Sequence, residues 1–364
     1  MFNRILLPMD RSSVAECVLP HAVAVARAFE SQVTLVHVMD LPQQANWRHA
    51  VDPLTWRIRK AEAESYLGDL ALRLQKTGLR TERQILDGSA AERIVEFSRK
   101  TDAPLIMISS HGQSGLSGWN VNSVVLKVIL RARTSIMIVR AYQPTQTEMT
   151  SLRYSRILVP IDGSLRAECV MPMASTLARF HEAQILLAHV VKRPELPRRT
   201  PPSREDVELA DRLVERNRTE AIQYLNDLRS QLSGEVQARV LVSNHIAATL
   251  HELVEHERID LVVLSAHGHS GLTQWPYGSV VISFITFGTT PVLIMQDLSR
   301  DEIQPSPAEI IAREQWKAIT HGPSVLSVDQ LLASPESAVS PGDAAVAVQI
   351  QAPIALRSGR VATG

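Results

Sequence analysis

Two loops in this chain have the composition and spacing to hold an anion. In the second, Ser265-Ala266-His267-Gly268-His269-Ser270-Gly271 leads on to Gly278-Ser279-Val280. In the first, Ser109-Ser110-His111-Gly112-Gln113-Ser114-Gly115 leads on to Asn122-Ser123-Val124. Nine residues separate Gly268 from Gly278, and nine separate Gly112 from Asn122. Each loop follows a short apolar run, Pro104–Ile108 or Leu261–Leu264, and precedes a helical pattern. A strand, a glycine-rich loop and a helix start gather backbone N–H groups and the positive end of a helix dipole around one point, which is a cradle for phosphate.

Each loop has companions at the ends of two other apolar runs. The first run of each half closes in Pro-x-Asp-x-Ser, with Asp10 and Ser12 in one half and Pro160, Asp162, Gly163 and Ser164 in the other. The second run closes in His37-Val38 or His189-Val190. In an open α/β sheet, ligands sit beyond the carboxyl ends of the strands where the strand order reverses, so these three elements converge. Backbone N–H groups at Gly268, Ser279 and Val280, with the Ser279 hydroxyl, suit phosphate oxygens. The Asp162 carboxylate suits ribose hydroxyls or a cation, and the backbone at His189-Val190 suits the edge of a base.

The elements that must position these residues occur twice. Arg4-Ile-Leu-Leu-Pro-Met-Asp10 and its continuation to Pro20 match Arg156-Ile-Leu-Val-Pro-Ile-Asp162 and its continuation to Pro172 at an offset of 152; the two loops match at 156. In the first half, apolar runs at Arg4–Pro8, Gln32–Val38, Leu79–Leu86, Leu105–Ile108 and Ser135–Arg140 alternate with helical patterns at Ser13–Glu30, Thr55–Lys76, Ala90–Lys100 and Val121–Arg131. The second half repeats the order with strands at Arg156–Pro160, Gln184–Val190, Val236–Val242, Asp260–Ser265 and Pro291–Gln296. Its helical patterns are Arg166–His181, Arg204–Gln231, Ala247–Glu257 and Gly278–Phe287. Continuous apolar strands alternating with helices predict parallel sheets covered on both faces, hence two tandem doubly wound α/β domains.

With these residues in place, the chain resembles the universal stress protein family, as a tandem of two UspA-type (adenine nucleotide alpha hydrolase-like) domains. Nucleotide-binding members of that family carry Gly-x2-Gly-x9-Gly-[Ser/Thr] after the fourth strand and an Asp at the end of the first. The resemblance covers residues 1–141 and 154–298, with 142–153 as linker and 299–364 as a loosely ordered C-terminal tail. It implies an adenine nucleotide, ATP or AMP, with Mg2+ as an optional companion. The second half departs from the motif only at Ser265. Its implied site is Pro160, Asp162, Gly163, Ser164, Val190, Ala266, His267, Gly268, Ser270, Gly278, Ser279 and Val280.

The first half departs at Ser109 and Asn122, and has Arg11 in place of Gly163. A side chain at Asn122 narrows the cradle, whereas Arg11 is long enough to cover a phosphate. This makes Asp10, Ser12, Val38, His111, Gly112, Asn122 and Ser123 a degenerate second site. The resemblance also implies that Ser135–Arg140 and Pro291–Gln296 pair as edge strands, giving an intramolecular pseudo-dimer open to further homodimerisation.

Composition sets the remaining bounds. Lys plus Arg and Asp plus Glu balance at 38 each, so nothing points to nucleic acid as a partner. No signal peptide opens the chain and no apolar run approaches the ~18 residues of a membrane span, so a cytoplasmic protein is expected. Cys17 and Cys169 occupy equivalent places in two cores and read as buried small hydrophobes, not as a disulfide. Gly268-His-Ser270-Gly271 is one residue short of a hydrolase nucleophile elbow. His251 and His256 are five residues apart, about 140° around a helix, and cannot share a metal as an i, i+4 pair does. His111 and His267 read as structural hydrogen-bonding residues of the loops, and no Walker-type Lys accompanies either loop. A binding module is therefore expected, with no catalytic residue and at most slow ATP hydrolysis. The alternative is a nucleotide-independent scaffold that docks a protein through its tail.

Overall fold

The computed structural model describes residues 1–39, 53–112, 121, 123–141, 148–194, 202–269 and 276–297. Met1–Pro305 forms one unit and Ser306–Gly364 another, the latter wholly outside the described residues. The readings made for the tail, for Asn122 and for Ser270 also lie outside them.

The first half runs β1 (Arg4–Pro8), a 3-10 turn (Ala15–Cys17), α1 (Val18–Phe29), β2 (Gln32–Met39), α2 (Pro53–Gln75), β3 (Thr81–Asp87), α3 (Ala90–Lys100), β4 (Leu105–Ser109), α4 (Ser123–Ala132) and β5 (Ser135–Val139). The second half runs β6 (Arg156–Pro160), α5 (Leu165–Glu168), α6 (Met171–His181), β7 (Gln184–Val191), α7 (Arg204–Ser230), β8 (Val236–Val242), α8 (Ile246–His256), β9 (Leu261–Ser265), α9 (Ser279–Phe287) and β10 (Val292–Met295). The expected order is present, with one correction. Instead of single helices over Ser13–Glu30 and Arg166–His181, the chain makes a short turn and then starts a new helix. Pro20 and Pro172 explain the restart, because a residue with no N–H and a fixed φ is suited to a helix's first turn and not to its interior.

The described strands form one ten-stranded sheet in the order β3-β2-β1-β4-β5-β10-β9-β6-β7-β8. Each half is a parallel sheet in which the order reverses between β1 and β4, or between β6 and β9. Inner strands are buried on both faces, as β4, β5 and β9 are at every residue, which is why they read as unbroken apolar runs. The outermost strands, β3 and β8, carry polar residues and stay partly exposed. No helix among the described residues is long and apolar enough to cross a membrane.

The two halves join through β5 and β10, which pair antiparallel with Met137 opposite Leu293, flanked by Ile138–Val292 and Ile136–Ile294. The intramolecular edge pairing expected between these segments is therefore present. Met137 and Leu293 point to the face covered by α1, α2, α6 and α7, and their neighbours point to the face covered by α3, α4, α8 and α9. Each half also braces a helix of the other. Arg140 donates from Nη2 to the carbonyls of Phe284 and Ile285 near the end of α9, at 2.6 and 2.7 Å. The hydroxyl of Tyr277 donates to the carbonyl of Ile129 on α4 at 3.0 Å. A cation on terminal helix carbonyls is favourable both as a hydrogen bond and against the helix dipole.

On the opposite face α1 meets α6. Phe2 and Phe29 stack edge-on at 5.1 Å in the first half; Tyr154 and His181 do the same at 4.9 Å in the second. The Tyr154 hydroxyl and His21 Nδ1 share a hydrogen bond at 2.9 Å, and His181 bonds the backbone of Ala24, so both contacts cross between halves. Burial pushes His21 and His181 down from 6.5 to about 4, and the charge of Arg153 adds to the effect at His181.

Both rings are thus neutral in the folded seam, while the unfolded chain takes up protons below pH 6.5. Stability is full above that value and is lost as pH falls toward 4, by up to about 3 kcal/mol per histidine. Urea midpoints measured from pH 7.5 to 4.5 should fall. His181→Phe, which places there the ring type of Phe29, should remove part of that fall; an unchanged slope in the variant would contradict this origin.

Candidate functional site

The carboxylate that ends β6 organises the second half's site. Asp162 Oδ1 accepts from the Ser164 N–H at 3.0 Å and its hydroxyl at 2.6 Å, and Oδ2 accepts from the His269 N–H at 2.6 Å. Ser164 Oγ in turn accepts from the Ala167 N–H at 3.1 Å and caps α5. Asp162 therefore clamps the loop after β9 onto the end of β6, and a ribose or cation contact would be an additional use of oxygens already employed. Burial alone would push its pKa up, but the bonds from Ser164 and His269 outweigh that and hold the carboxyl below its usual range.

Gly268 is what lets the loop approach. A Cβ there would lie 2.1 Å from Asp162 Oδ2, and one at Gly112 would lie 2.0 Å from Asp10 Oδ2. The first half repeats the hub, with Asp10 accepting from the Ser12 N–H and hydroxyl at 3.0 and 2.6 Å, and Ser12 Oγ accepting from the Ala15 N–H at 3.0 Å. Between Asp and Ser the backbone turns left-handed, at φ +85° for Gly163 and φ +70° for Arg11. Glycine takes that conformation freely; Arg11 takes it at a cost of about 1 kcal/mol and is held by Glu62 at 2.8 Å.

Gly278 differs in kind. Its φ is −72°, and among the described residues a Cβ would meet the Ala266 carbonyl at 3.6 Å and the His267 Cα at 4.0 Å, both ordinary contacts. Among the described residues nothing requires a glycine here. Gly278 opens α9, whose first N–H groups, at Ser279 and Val280, have no intrahelical acceptor. Ser279 is exposed and Val280 half-buried. The open point lies beside Ala266, to whose carbonyl the Gly278 N–H donates at 2.8 Å.

The second strand contributes backbone. The Ala188 carbonyl accepts from the Ile161 N–H at 2.8 Å, so it faces β6. By strand alternation the N–H and C=O of Val190 face the same way, beyond the point where β6 has ended. His189 does not face a ligand as a base would; its Nδ1 lies 2.9 Å from the Ile161 carbonyl, which makes that nitrogen the donor. His37 repeats the strut to the Met9 carbonyl at 2.8 Å.

The loop histidines are buried to 2% exposure, and they separate the halves. His267 Nδ1 lies 2.7 Å from Asp297 Oδ1, and Arg166 Nη1 lies 3.8 Å from Asp297 Oδ2. His111 instead meets the Ser110 hydroxyl at 2.9 Å. At the 156-residue offset Ala141 stands where Asp297 is, and at 152 Val14 stands where Arg166 is. Sequence reasoning missed this Arg–Asp–His chain, although the aligned halves carry the signal. Ser109 and Ser265, at the motif's first glycine position, lie under the loops and accept weak bonds from Cys17 and Cys169, at 3.5 and 3.7 Å. Both cysteines are free thiols, as expected, and burial raises both above their ordinary value.

Beyond β1, β2 and β4 the first half encloses a cavity of about 360 Å³. Asp10, Val38, His111 and Gly112 line it, so four residues of the site expected there converge on one space. Trp56 and Arg59, from the start of α2, line it as well. Elsewhere, His251 packs on Phe284 at 4.3 Å between ring centres and meets the Ser283 hydroxyl at 3.1 Å, a packing role. No cluster of His, Cys, Asp or Glu among the described residues has the makings of a metal site.

The three glycines of the second half should respond differently to alanine. Gly268→Ala should cost about 2–3 kcal/mol, because the methyl displaces the Asp162 clamp. Gly163→Ala should cost about 1 kcal/mol from left-handed strain, and Gly278→Ala less than about 1 kcal/mol. Urea denaturation gives the ranking. A Gly278→Ala loss equal to that of Gly268→Ala would contradict the distinction drawn between them.

Comparison with known proteins agrees with this architecture. The sequence model of the Universal stress protein family matches residues 1–140 and again 153–296. A universal stress protein of Methanocaldococcus jannaschii is 27% identical over 38% of this chain and 83% of its own length. One from Mycobacterium bovis is 22% identical over 72% of this chain and 86% of its own. The crystal structure of a universal stress protein from Archaeoglobus fulgidus superposes with a TM-score of 0.59 at 16% identity, covering 82% of this chain and 100% of that one, a likeness of fold. With both halves matched in tandem, this chain belongs to the universal stress protein family.

Proposed function

We propose that the chain is a nucleotide-responsive binding module that holds an adenine nucleotide, ATP or AMP, in its second half. One observation carries the reading. Gly278 has no backbone strain and, among the described residues, no neighbour that excludes a side chain, yet its missing Cβ leaves the start of α9 open beside Ala266 and His267. A position that the fold leaves free to be alanine, but that is glycine, fits close approach by a ligand's phosphate.

In this reading the N–H groups of Ser279 and Val280, with the Ser279 hydroxyl, hold phosphate oxygens, and the dipole of α9 adds to the attraction. Val190 presents backbone to the edge of the base. Asp162 keeps the loop in place and offers a second acceptor site to a ribose hydroxyl. Mg2+, when present, arrives with the phosphates and neutralises them. The reading is one of binding, not turnover, since His267 is turned toward Asp297. Assembly into a homodimer belongs to the same reading and is checked by light scattering with and without nucleotide.

Mass spectrometry of nucleotide released from purified protein tests the proposal, alongside titration with Mg-ATP. Wild type should carry or bind one adenine nucleotide in the second half. Gly278→Val should weaken that site at least tenfold while retaining nearly the stability of Gly278→Ala. Wild type that releases no nucleotide and binds none on titration would overturn it.

A further inference from the structure

We infer that α2 carries a docking surface for a second copy of this chain, paired antiparallel through the helix face turned away from the core. This gives a surface to the homodimer that accompanies the nucleotide reading, rests on that part of it alone, and does not require nucleotide to be bound.

A helix that covers one side of a sheet needs one apolar stripe. α2 has two. Ala63, Leu67, Leu70 and Leu74 are buried on the core side. Leu54, Ile58, Ala61, Ser65, Gly68 and Leu72 recur with the same alternation of four and three residues. At about 100° per residue the two stripes lie on opposite sides of the helix. The outer stripe carries no charge over about 27 Å, and Leu54, Ile58 and Leu72 are 64%, 51% and 59% exposed.

The twin helix shows that the fold does not ask for this. The run Glu62-Ala63-x-x-Tyr66-Leu67-x-Asp69-Leu70 aligns with Glu220-Ala221-x-x-Tyr224-Leu225-x-Asp227-Leu228. Tyr66 and Tyr224 confirm that register by reaching the equivalent acids Glu16 and Glu168. In this register α7 has Arg212, Arg216, Thr219, Gln223, Asn226 and Ser230 at the outer positions. One half keeps an ordinary solvated face there, and the other an apolar one.

Shape and charge both fit a second α2. The stripe is symmetric about Ala63, so an antiparallel mate sets Leu54 against Leu72, Ile58 against Gly68 and Ala61 against Ser65. Two bulky residues meet only at the ends, where crossing helices diverge, and each Ile58 faces a notch. The exposed Arg83 side chain borders that notch and is long enough to lie along the mate's Ile58. On one flank Arg57 and Lys60 of each copy come alongside Glu64 of the other. None of the three has an ion pair within the chain among the described residues. On the other flank the two Glu62 side chains approach, each already neutralised by its own Arg11. One patch used twice closes a two-fold dimer. A single helix pair is small beside the ~1,200–2,000 Å² of a stable interface, so this dimer is reversible and concentration-dependent.

The test is sedimentation velocity of the full chain over a wide concentration range, without added nucleotide. Wild type should pass reversibly from monomer to dimer. Ile58→Arg, which carries over the residue type of Arg216, should weaken the dimer about tenfold or more by burying an unpaired charge. Its urea midpoint at low protein concentration should match wild type, since the side chain is exposed in the single chain. Glu64→Lys should also weaken the dimer, and adding Arg57→Glu and Lys60→Glu to it should restore association. Under oxidation, Ala61→Cys chains mixed with Ser65→Cys chains should form disulfide-linked mixed dimers in preference to either variant with itself. A dimer that Ile58→Arg leaves unchanged, or cross-linking without that preference, would overturn the surface while assembly itself stands. Wild type that stays monomeric throughout would overturn the surface and the homodimer together, leaving nucleotide binding to its own test.

Discussion

The contact between a strand-end carboxylate and a glycine with no room for a side chain is the constraint on which both sites depend. Asp162 against Gly268, and Asp10 against Gly112, join the first and fourth strands of each half at the point where strand order reverses. The carboxylate also fixes the turn through Ser164 or Ser12, which caps the following turn of helix. Two strand ends are thereby held together before any ligand arrives, and the struts of His189 and His37 tie the second strand to the first. Preorganisation of this kind lowers the ordering cost of binding. It also means that the acid most readily assigned to a ligand has first an architectural role.

Around that shared frame the halves have diverged in ways that make physical sense together. The second half keeps glycine at the turn and at the start of α9, and backs its loop histidine with Asp297 and Arg166. The first half has Arg11 at the turn and a rim of Trp56 and Arg59 over a defined cavity. The halves are tied by the β5–β10 pairing and by the reciprocal braces of Arg140 and Tyr277 on the far helices. Each brace caps or anchors a helix that begins at one of the two loops, α9 for Arg140 and α4 for Tyr277.

Much of this was legible in the sequence because duplication supplies its own alignment. The repeated strand runs, the Asp-x-Ser turns and the loops appear at two offsets, and inner strands covered on both faces read as apolar runs with little ambiguity. The pairing of Ser135–Arg140 with Pro291–Gln296 followed from the family resemblance. The helix restarts before Pro20 and Pro172 were also written in the residues, yet an apolar periodicity continuing across Cys17 and Cys169 masks them. Asp297 was not legible by pattern, since it is the fold that carries the end of β10 to the loop after β9. The same holds for Trp56 and Arg59, which reach the site only because α2 starts over the ends of β1 and β2. The distinct roles of Gly268 and Gly278 needed coordinates, because only distances show that one excludes a side chain and the other does not.

The central claim is that the start of α9 holds nucleotide phosphate in the second half. A crystal structure of the full chain grown with ATP and Mg2+ tests it most directly. The account predicts phosphate oxygens at about 2.9 Å from the Ser279 and Val280 nitrogens, with the base against the Val190 backbone and Asp162 still clamped to Ser164 and the His269 N–H. At saturating ATP, an empty second-half site, or phosphates bound away from the start of α9, would contradict it.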